Sequence, residues 1–525
     1  MNAHSMIFLK RVDPYWRVFA VLLSILVCAL VQFNVPINHD IGWILFGAER
    51  MTQGTVYGRG IIEPNPPFIW FLNLPIVWLA QGLGRPSYEV YRAAILLGAT
   101  AGLYQIYVNL NMTKRKEDYL LAWQVVGCIA FFCFAFAWRD FGQREYISLF
   151  CILVFASTNI VRLRGLTPGA VSAITAGILA AIGVLLKPYL LFIPAVMGLY
   201  SLYRCGPKVF TWIEFYALAV SIIIALTSTV LFAPAYLTQV IPLITDLYWG
   251  FNEAKMDIIG AYKPLFLALL VWVAILSVNR FRLSPEQVIF LIVALGFAVS
   301  FLWQSKGYTY HVFPVYVTVA IGILATAKAP DRSFQSSVIR PRASRSILYL
   351  SLLMLFVGFG LPAALWSIRE TREAGPLQLR QSRISAEVEK FAANRTFTAF
   401  STHPFPGFPT ALLVNAQWVG RSNSHMAIPA IVKSRTDRHV RAEGLEKFAR
   451  SEVMLTLETF SPHLVLVDRR KVQHAIADRP FDFTAFYSED LKFAELWEKY
   501  RKVSSVEGFD FYVRADEQEF GEDIQ

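Results

Sequence analysis

Several short polar stretches interrupt the long apolar runs of this 525-residue chain, and their residue types are those that do acid–base or phosphate chemistry. The first follows the first apolar run. It opens on Asn38-His39-Asp40, passes through Gly54-Thr55-Val56-Tyr57 and ends on Glu63-Pro64-Asn65-Pro66-Pro67. Asp40 and Glu63 are its carboxylates; the bland reading of Asp40 is a solvated helix-cap residue. The second is Arg139-Asp140-Phe141-Gly142-Gln143-Arg144-Glu145, where charge packed so densely at the end of an apolar run is costly unless paired or used. A guanidinium fork suits phosphate, so Arg144 is a candidate anion ligand, while Asp140 or Glu145 would hold a divalent cation (Mg or Mn) or pair with Arg144. An interfacial salt-bridge network that anchors helices is the alternative. Lys187-Pro188-Tyr189 and the stretch Gln304 to His311, with Lys306 and His311, add cations flanked by aromatics. Such lysines snorkel to the headgroups or stabilise a departing phosphate. His403 and His425 are assigned nothing.

The elements that must position these residues are membrane spans. The chain is 55% hydrophobic and 17% charged, with a mean hydropathy of +0.45, too apolar for an ordinary soluble protein. Eleven apolar runs have roughly the length that a span needs: Tyr15 to Pro36, Tyr88 to Leu110, Tyr119 to Ala137, Tyr146 to Val161, Pro168 to Leu186, Tyr189 to Tyr203, Val209 to Phe232, Pro264 to Asn279, Glu286 to Trp303, Tyr310 to Ala327 and Ser346 to Ile368. The net charge of +11 resides in them. Residues 1–369 hold 28 Lys+Arg against 15 Asp+Glu, and the rest of the chain 21 against 23, so the excess reads as topology and not as nucleic-acid binding.

Charge placement then fixes the orientation. With Phe68 to Leu83 re-entrant or interfacial, Lys10-Arg11, Lys114 to Lys116, Arg162/Arg164, Arg204/Lys208, Arg280/Arg282 and Lys328 to Arg345 share the cytoplasmic side. Every polar stretch described above, the loop 37–87 included, then lies outside the cell together with residues 370–525. The first run is too long for a signal-peptide core and is read as an uncleaved span. The five cysteines lie in or beside apolar segments and suggest no disulfide framework. The expected division is a membrane domain, 1–369, and a periplasmic α/β domain, 370–525. In the latter, Ser385 to Asn394 and Phe493 to Lys502 read as helices, Thr398 to Ser401 and Leu464 to Val467 as strands, and Val503 to Val513 as a hairpin about Glu507-Gly508.

An acid after span one, an amphipathic stretch from Trp43 to Met51, the Gly54-x-x-Tyr57 and the Asn65-Pro66-Pro67 that opens an apolar helix together resemble the GT-C glycosyltransferases. Among these the arrangement is most similar to the protein O-mannosyltransferases and the lipid A aminoarabinose transferase. Where that family shows Asp-Glu, this chain shows His39-Asp40. The resemblance implies a polytopic α-helical protein of the inner membrane, GT-C-like, with about eleven spans and a C-terminal extracytoplasmic domain. It further implies an inverting transferase that moves a sugar from a polyprenyl phosphate to an extracytoplasmic glycan, lipid or protein. Asp40 would be its base, helped by Glu63, with Tyr57, Asn65, Arg144, Lys187, Lys306 and His311 binding substrate or donor phosphate. The rival is a transporter or flippase, which would place its functional charges near the bilayer midplane and not at span ends.

Overall fold

The computed structural model describes residues 3–137, 140–278, 283–327, 341–371, 376–437, 442–476 and 480–515; Arg139, Arg280, Arg282 and most of Lys328 to Arg345 lie outside them. The chain forms two compact units, Met1–Asn34 with Tyr91–Leu226 and Glu253–Thr371, and Val35–Val90 with Thr227–Asn252 and Arg372–Gln525.

The first unit is helical. Among the described residues of the whole chain, eight helices are long and apolar enough to cross a membrane, nine if Lys255–Ala261 and Lys263–Val278, bent by 87°, form one broken span. The chain is an integral membrane protein. The sequence suggested eleven spans. The difference lies in the bent pair and in two shorter helices: Ala170–Leu186 has 17 residues, and the run after it is split by Pro188 into a 3₁₀ turn, Pro188–Leu191, and a helix of 14 residues, Phe192–Cys205. Burial sorts the spans. Thr309–Ala327 is 89% buried and Arg144–Leu163 83%, whereas Tyr15–Gln32 and Ile213–Phe232 are each 11% buried, so the first pair forms the centre and the second pair carries a lipid-facing apolar surface. Close packing demands small residues at this centre: a Cβ on Gly322 would lie 2.0 Å from the ring of Trp272, whose Nε1 donates to Thr326 Oγ1 at 2.9 Å.

Helix Arg144–Leu163 carries charge at both ends. At its C-terminal end Arg162 grips the buried Glu214 through two bonds of 2.9 and 3.0 Å, and Arg164 meets Glu286 at 2.6 Å and Asp118 at 3.0 Å. Arg144 and Glu145 begin the same helix, about 27 Å away at the rise of an α-helix.

The second unit is built on a five-stranded sheet: β1 (Thr396–Phe400), β2 (Gln417–Trp418), β3 (Leu464–Asp468), β4 (Tyr500–Val506) and β5 (Phe509–Arg514), in the order β2-β1-β3-β5-β4. The first three are parallel and the last two antiparallel. The hairpin turn is Glu507-Gly508, both with positive φ (53° and 81°), as a tight two-residue turn requires. One expectation needs correction. The helix expected over Phe493 to Lys502 ends at Trp497, and Tyr500 already begins β4, because pairing with β5 outweighs the helix propensity of Glu498 and Lys499. The first loop belongs to this unit. Its helices are His39–Thr52 and Phe68–Leu83. Trp43 packs edge-on to Trp70 (5.9 Å) and to Phe408 (5.1 Å), and Phe408 in turn packs on Trp418 of β2 (5.2 Å).

Candidate functional site

In the membrane unit the structure brings together Glu145, Lys187 and His311, which sequence alone left on three separate interruptions. Each stands where a helix ends: Glu145 in the first turn of Arg144–Leu163, Lys187 as the C-cap of Ala170–Leu186, and His311 in the first turn of Thr309–Ala327. Lys187 Nζ lies 2.8 Å and His311 Nε2 3.2 Å from the same oxygen of Glu145, and all three are buried. Asp140 joins the group indirectly, its carboxylate accepting from Thr309 Oγ1 at 3.3 Å. The turn before that helix is fixed by Ser305 and Gly307, both with positive φ, and by the Tyr262 hydroxyl donating to the Gly307 carbonyl at 2.8 Å. This holds the buried Lys306 between the two helices it joins. Arg144 is the first residue of its helix and is buried. A cation there opposes the helix dipole, whose N-terminal amides attract anions.

Glu145 faces the Lys187 ammonium, and among the described residues no three His, Cys, Asp or Glu side chains are arranged to hold a metal ion.

In the second unit Tyr57, Glu63 and Asn65 meet one another. Glu63 is buried, its Oε2 accepting from Trp43 Nε1 at 2.8 Å and its Oε1 from the Asn65 amide at 3.2 Å and from the Asn65 side chain. The Tyr57 hydroxyl lies 2.7 Å from the carbonyls of both Glu63 and Asn65. Gly58, at φ +83°, passes so close to Ala235 that a Cβ would come within 2.6 Å. Burial and the Glu63 charge push the neighbouring Tyr236 phenol up to about 12. Glu63 therefore organises the loop. Asp40 differs from it. It lies in the first turn of a helix capped by the Asn38 side chain, which accepts the Asp40 amide at 2.9 Å, and its own side chain keeps 17% of its exposure.

Sequence reasoning missed the residues around Asp40. His39 packs on His403 at 4.3 Å between ring centroids, and His403 on His474 at 5.0 Å. His403 Nδ1 accepts the Phe405 amide at 3.0 Å, which leaves the proton on Nε2, and burial first, with His39 and His474 adding to it, holds this imidazole neutral. Only tertiary folding places residues 403 and 474 beside residue 39, so no local pattern announces them.

No protein-family model and no curated protein matches the sequence. Solved structures do. The crystal structure of ArnT from Cupriavidus metallidurans bound to undecaprenyl phosphate superposes with a TM-score of 0.53 at 12% identity, over 95% of this chain and 97% of that one. The fold is GT-C. A cryo-EM structure of the arabinofuranosyltransferase AftD from Mycobacteria gives a TM-score of 0.42 at 13% identity and covers 95% of this chain, which spans only 40% of that protein.

Proposed function

We propose that this protein is an inverting glycosyltransferase that takes a sugar from a polyprenyl-phosphate donor and delivers it to an acceptor hydroxyl outside the cytoplasm. The observation that carries this reading is the gathering of buried Arg144, Lys187 and His311 at helix ends of the membrane unit, the last two meeting on the same oxygen of Glu145. Such a set suits a leaving lipid phosphate. An incoming phosphate takes over Glu145's role toward Lys187, Arg144 offers it a bidentate fork, and Lys306 adds positive charge as the sugar–phosphate bond breaks. The solved GT-C structure with undecaprenyl phosphate bound supports the choice of donor class. In the other unit Asp40 takes the acceptor's proton, and Glu63 acts as a positioning residue for the segment that carries it.

The protein is placed in the inner membrane with its N-terminus cytoplasmic and the sheet domain periplasmic. A cysteine at the exposed Val472 should react with a membrane-impermeant reagent in intact cells, while one at Lys114 should not; the reverse pattern inverts the orientation. The function is tested by sugar transfer from a labelled polyprenyl-phosphate donor to envelope glycolipids and proteins, with and without a chelator. Transfer that survives chelation is expected, because Glu145 is engaged by Lys187 rather than offered to a cation. No transfer from any polyprenyl-phosphate sugar, alongside solute movement in sealed vesicles, would favour the transporter reading.

A further inference from the structure

In the membrane unit, helix Phe192–Cys205, the 3₁₀ turn Gly206–Thr211 and helix Ile213–Phe232 border an apolar hollow of about 570 Å³. That is ample for a ligand, since binding sites measure roughly 300–1,000 Å³. We infer that the hollow binds an acyl chain of an anionic phospholipid whose phosphate is held at one end of it by Arg204 and Lys208. The inference does not depend on the transferase reading.

The walls select a hydrocarbon chain. Leu191, Leu199 and Leu202 line one side and Phe215, Leu218 and Ala219 the other, and none of the described lining residues carries a charge. The two helices meet at Gly198, where a Cβ would stand 3.2 Å from the Phe215 ring. Leu199, Phe210 and Tyr216 are exposed, and Ile213–Phe232 is among the least buried spans, so the hollow opens toward lipid. From Leu191 to Leu202 its wall rises about 16 Å, close to half of the roughly 30 Å of hydrocarbon in a bilayer. One leaflet's acyl chain matches that depth.

Charge selects the head group. Arg204 lies in the last turn of Phe192–Cys205 and Lys208 in the turn that follows, both exposed. Acids at this end of the unit are engaged elsewhere: Glu214 by Arg162, and Glu286 and Asp118 by Arg164. Arg204 and Lys208 are therefore left to face an anion from the bilayer. Aromatics mark the same level as an interface. The Tyr216 hydroxyl donates to the Phe210 carbonyl at 2.7 Å, and the Arg162 guanidinium lies 5.6 Å from the Trp212 ring. Arg162 also ends the helix that Arg144 begins, about 27 Å away, so this end is opposite to the one where Lys187 meets Glu145. A polyprenyl donor with its phosphate at that cluster points the other way.

The test is native mass spectrometry of the full chain released from detergent micelles, titrated with dioleoyl phosphatidylglycerol, with phosphatidylcholine of the same chains, and with a polyprenyl phosphate. The first copy of phosphatidylglycerol should bind at least about tenfold more tightly than phosphatidylcholine, since each nearby Lys or Arg favours an anionic surface about fivefold. Arg204→Gln with Lys208→Gln should abolish that preference, and the charge-keeping pair Arg204→Lys with Lys208→Arg should retain it. Ala195→Trp and Ala219→Trp fill the hollow from its two helices with both cations in place. Each should weaken phosphatidylglycerol at least about tenfold, the effect of displacing about two buried methylenes. Equal binding of the two phospholipids, a preference that survives the double Gln variant, or undiminished binding in the folded filled variants overturns the site. So does displacement of phosphatidylglycerol by the polyprenyl phosphate at equal concentration, which would give the hollow to the donor's tail.

Discussion

In the membrane unit Glu145 is buried against two basic groups, Lys187 at 2.8 Å and His311 at 3.2 Å, whereas in the loop-and-sheet unit Glu63 is buried against groups that carry no charge, the Trp43 indole and the Asn65 amides. Both carboxylates have close partners, but with different consequences. Removing Glu145 would leave the buried Lys187 ammonium without its counter-ion, which is why the proposed function has a phosphate take that place. Neutral donors hold Glu63 in place and offer an anion little in exchange, so that network is built to stay. Asp40 keeps 17% of its side-chain exposure and lies 3.7 Å from the His39 imidazole. It is the carboxylate to which the proposed function gives the acceptor's proton.

The largest expected effect separates the two carboxylates of the loop. Asp40→Asn keeps the volume and loses the base, so turnover should fall by roughly a hundred- to ten-thousand-fold with the fold intact. Glu63→Gln turns an amide toward the Asn65 N–H groups and should instead lower stability by about 1–3 kcal/mol. Near-normal turnover by Asp40→Asn, beside a silent Glu63→Gln in thermal unfolding, would erase the distinction.

A smaller effect tests charge compensation in the membrane unit. Lys187→Met takes from Glu145 its ammonium and should destabilise by about 3–5 kcal/mol, while adding Glu145→Gln should restore most of the loss. A single variant that melts like the wild type would mean that the pair compensates nothing. Smaller again is Arg144→Lys, which keeps the charge but loses the fork; it should raise the donor KM by about tenfold, and Arg144→Ala by more. Unchanged donor kinetics in Arg144→Ala would make that residue a helix anchor.

How much of this was legible in the sequence follows from the range over which each signal acts. The apolar runs, strands β1 and β3 and the Glu507-Gly508 turn are local patterns, and they emerge close to where the residues put them. Lys187, His311 and Glu145 could be named as interruptions of apolar runs, but their mutual contact depends on how the spans pack. The boundary near Trp497 was misread because an edge strand rich in Lys and Arg looks helical until its partner strand is known. Arg421 and Glu452, which form an ion pair in the sheet unit, lie 31 positions apart, and nothing in either neighbourhood marks them as a pair.

The smallest effect extends the comparison to the histidines. His311 has the Glu145 carboxylate at 3.2 Å, whereas His425 pairs with the Tyr487 hydroxyl and the Ala399 backbone and His403 with the Phe405 amide. Burial pushes His425 from about 6.5 down to about 4 and His403 well below its ordinary value. The unfolded chain therefore takes up these protons as pH falls through about 6.5, while the folded chain refuses the His425 proton until about 4. Stability should be flat above that window with respect to these groups and should decline through it as the solution is acidified. His425→Gln removes one titrating group while keeping a polar partner for Tyr487, so its unfolding midpoint should depend less steeply on pH across the same interval. The measurement is thermal unfolding of the full chain, followed by tryptophan fluorescence, at a series of pH values spanning the window. A His425→Gln profile as steep as the wild type would show that this imidazole is not held neutral by burial, and with it would go the contrast between a histidine given a carboxylate in one unit and histidines given none in the other.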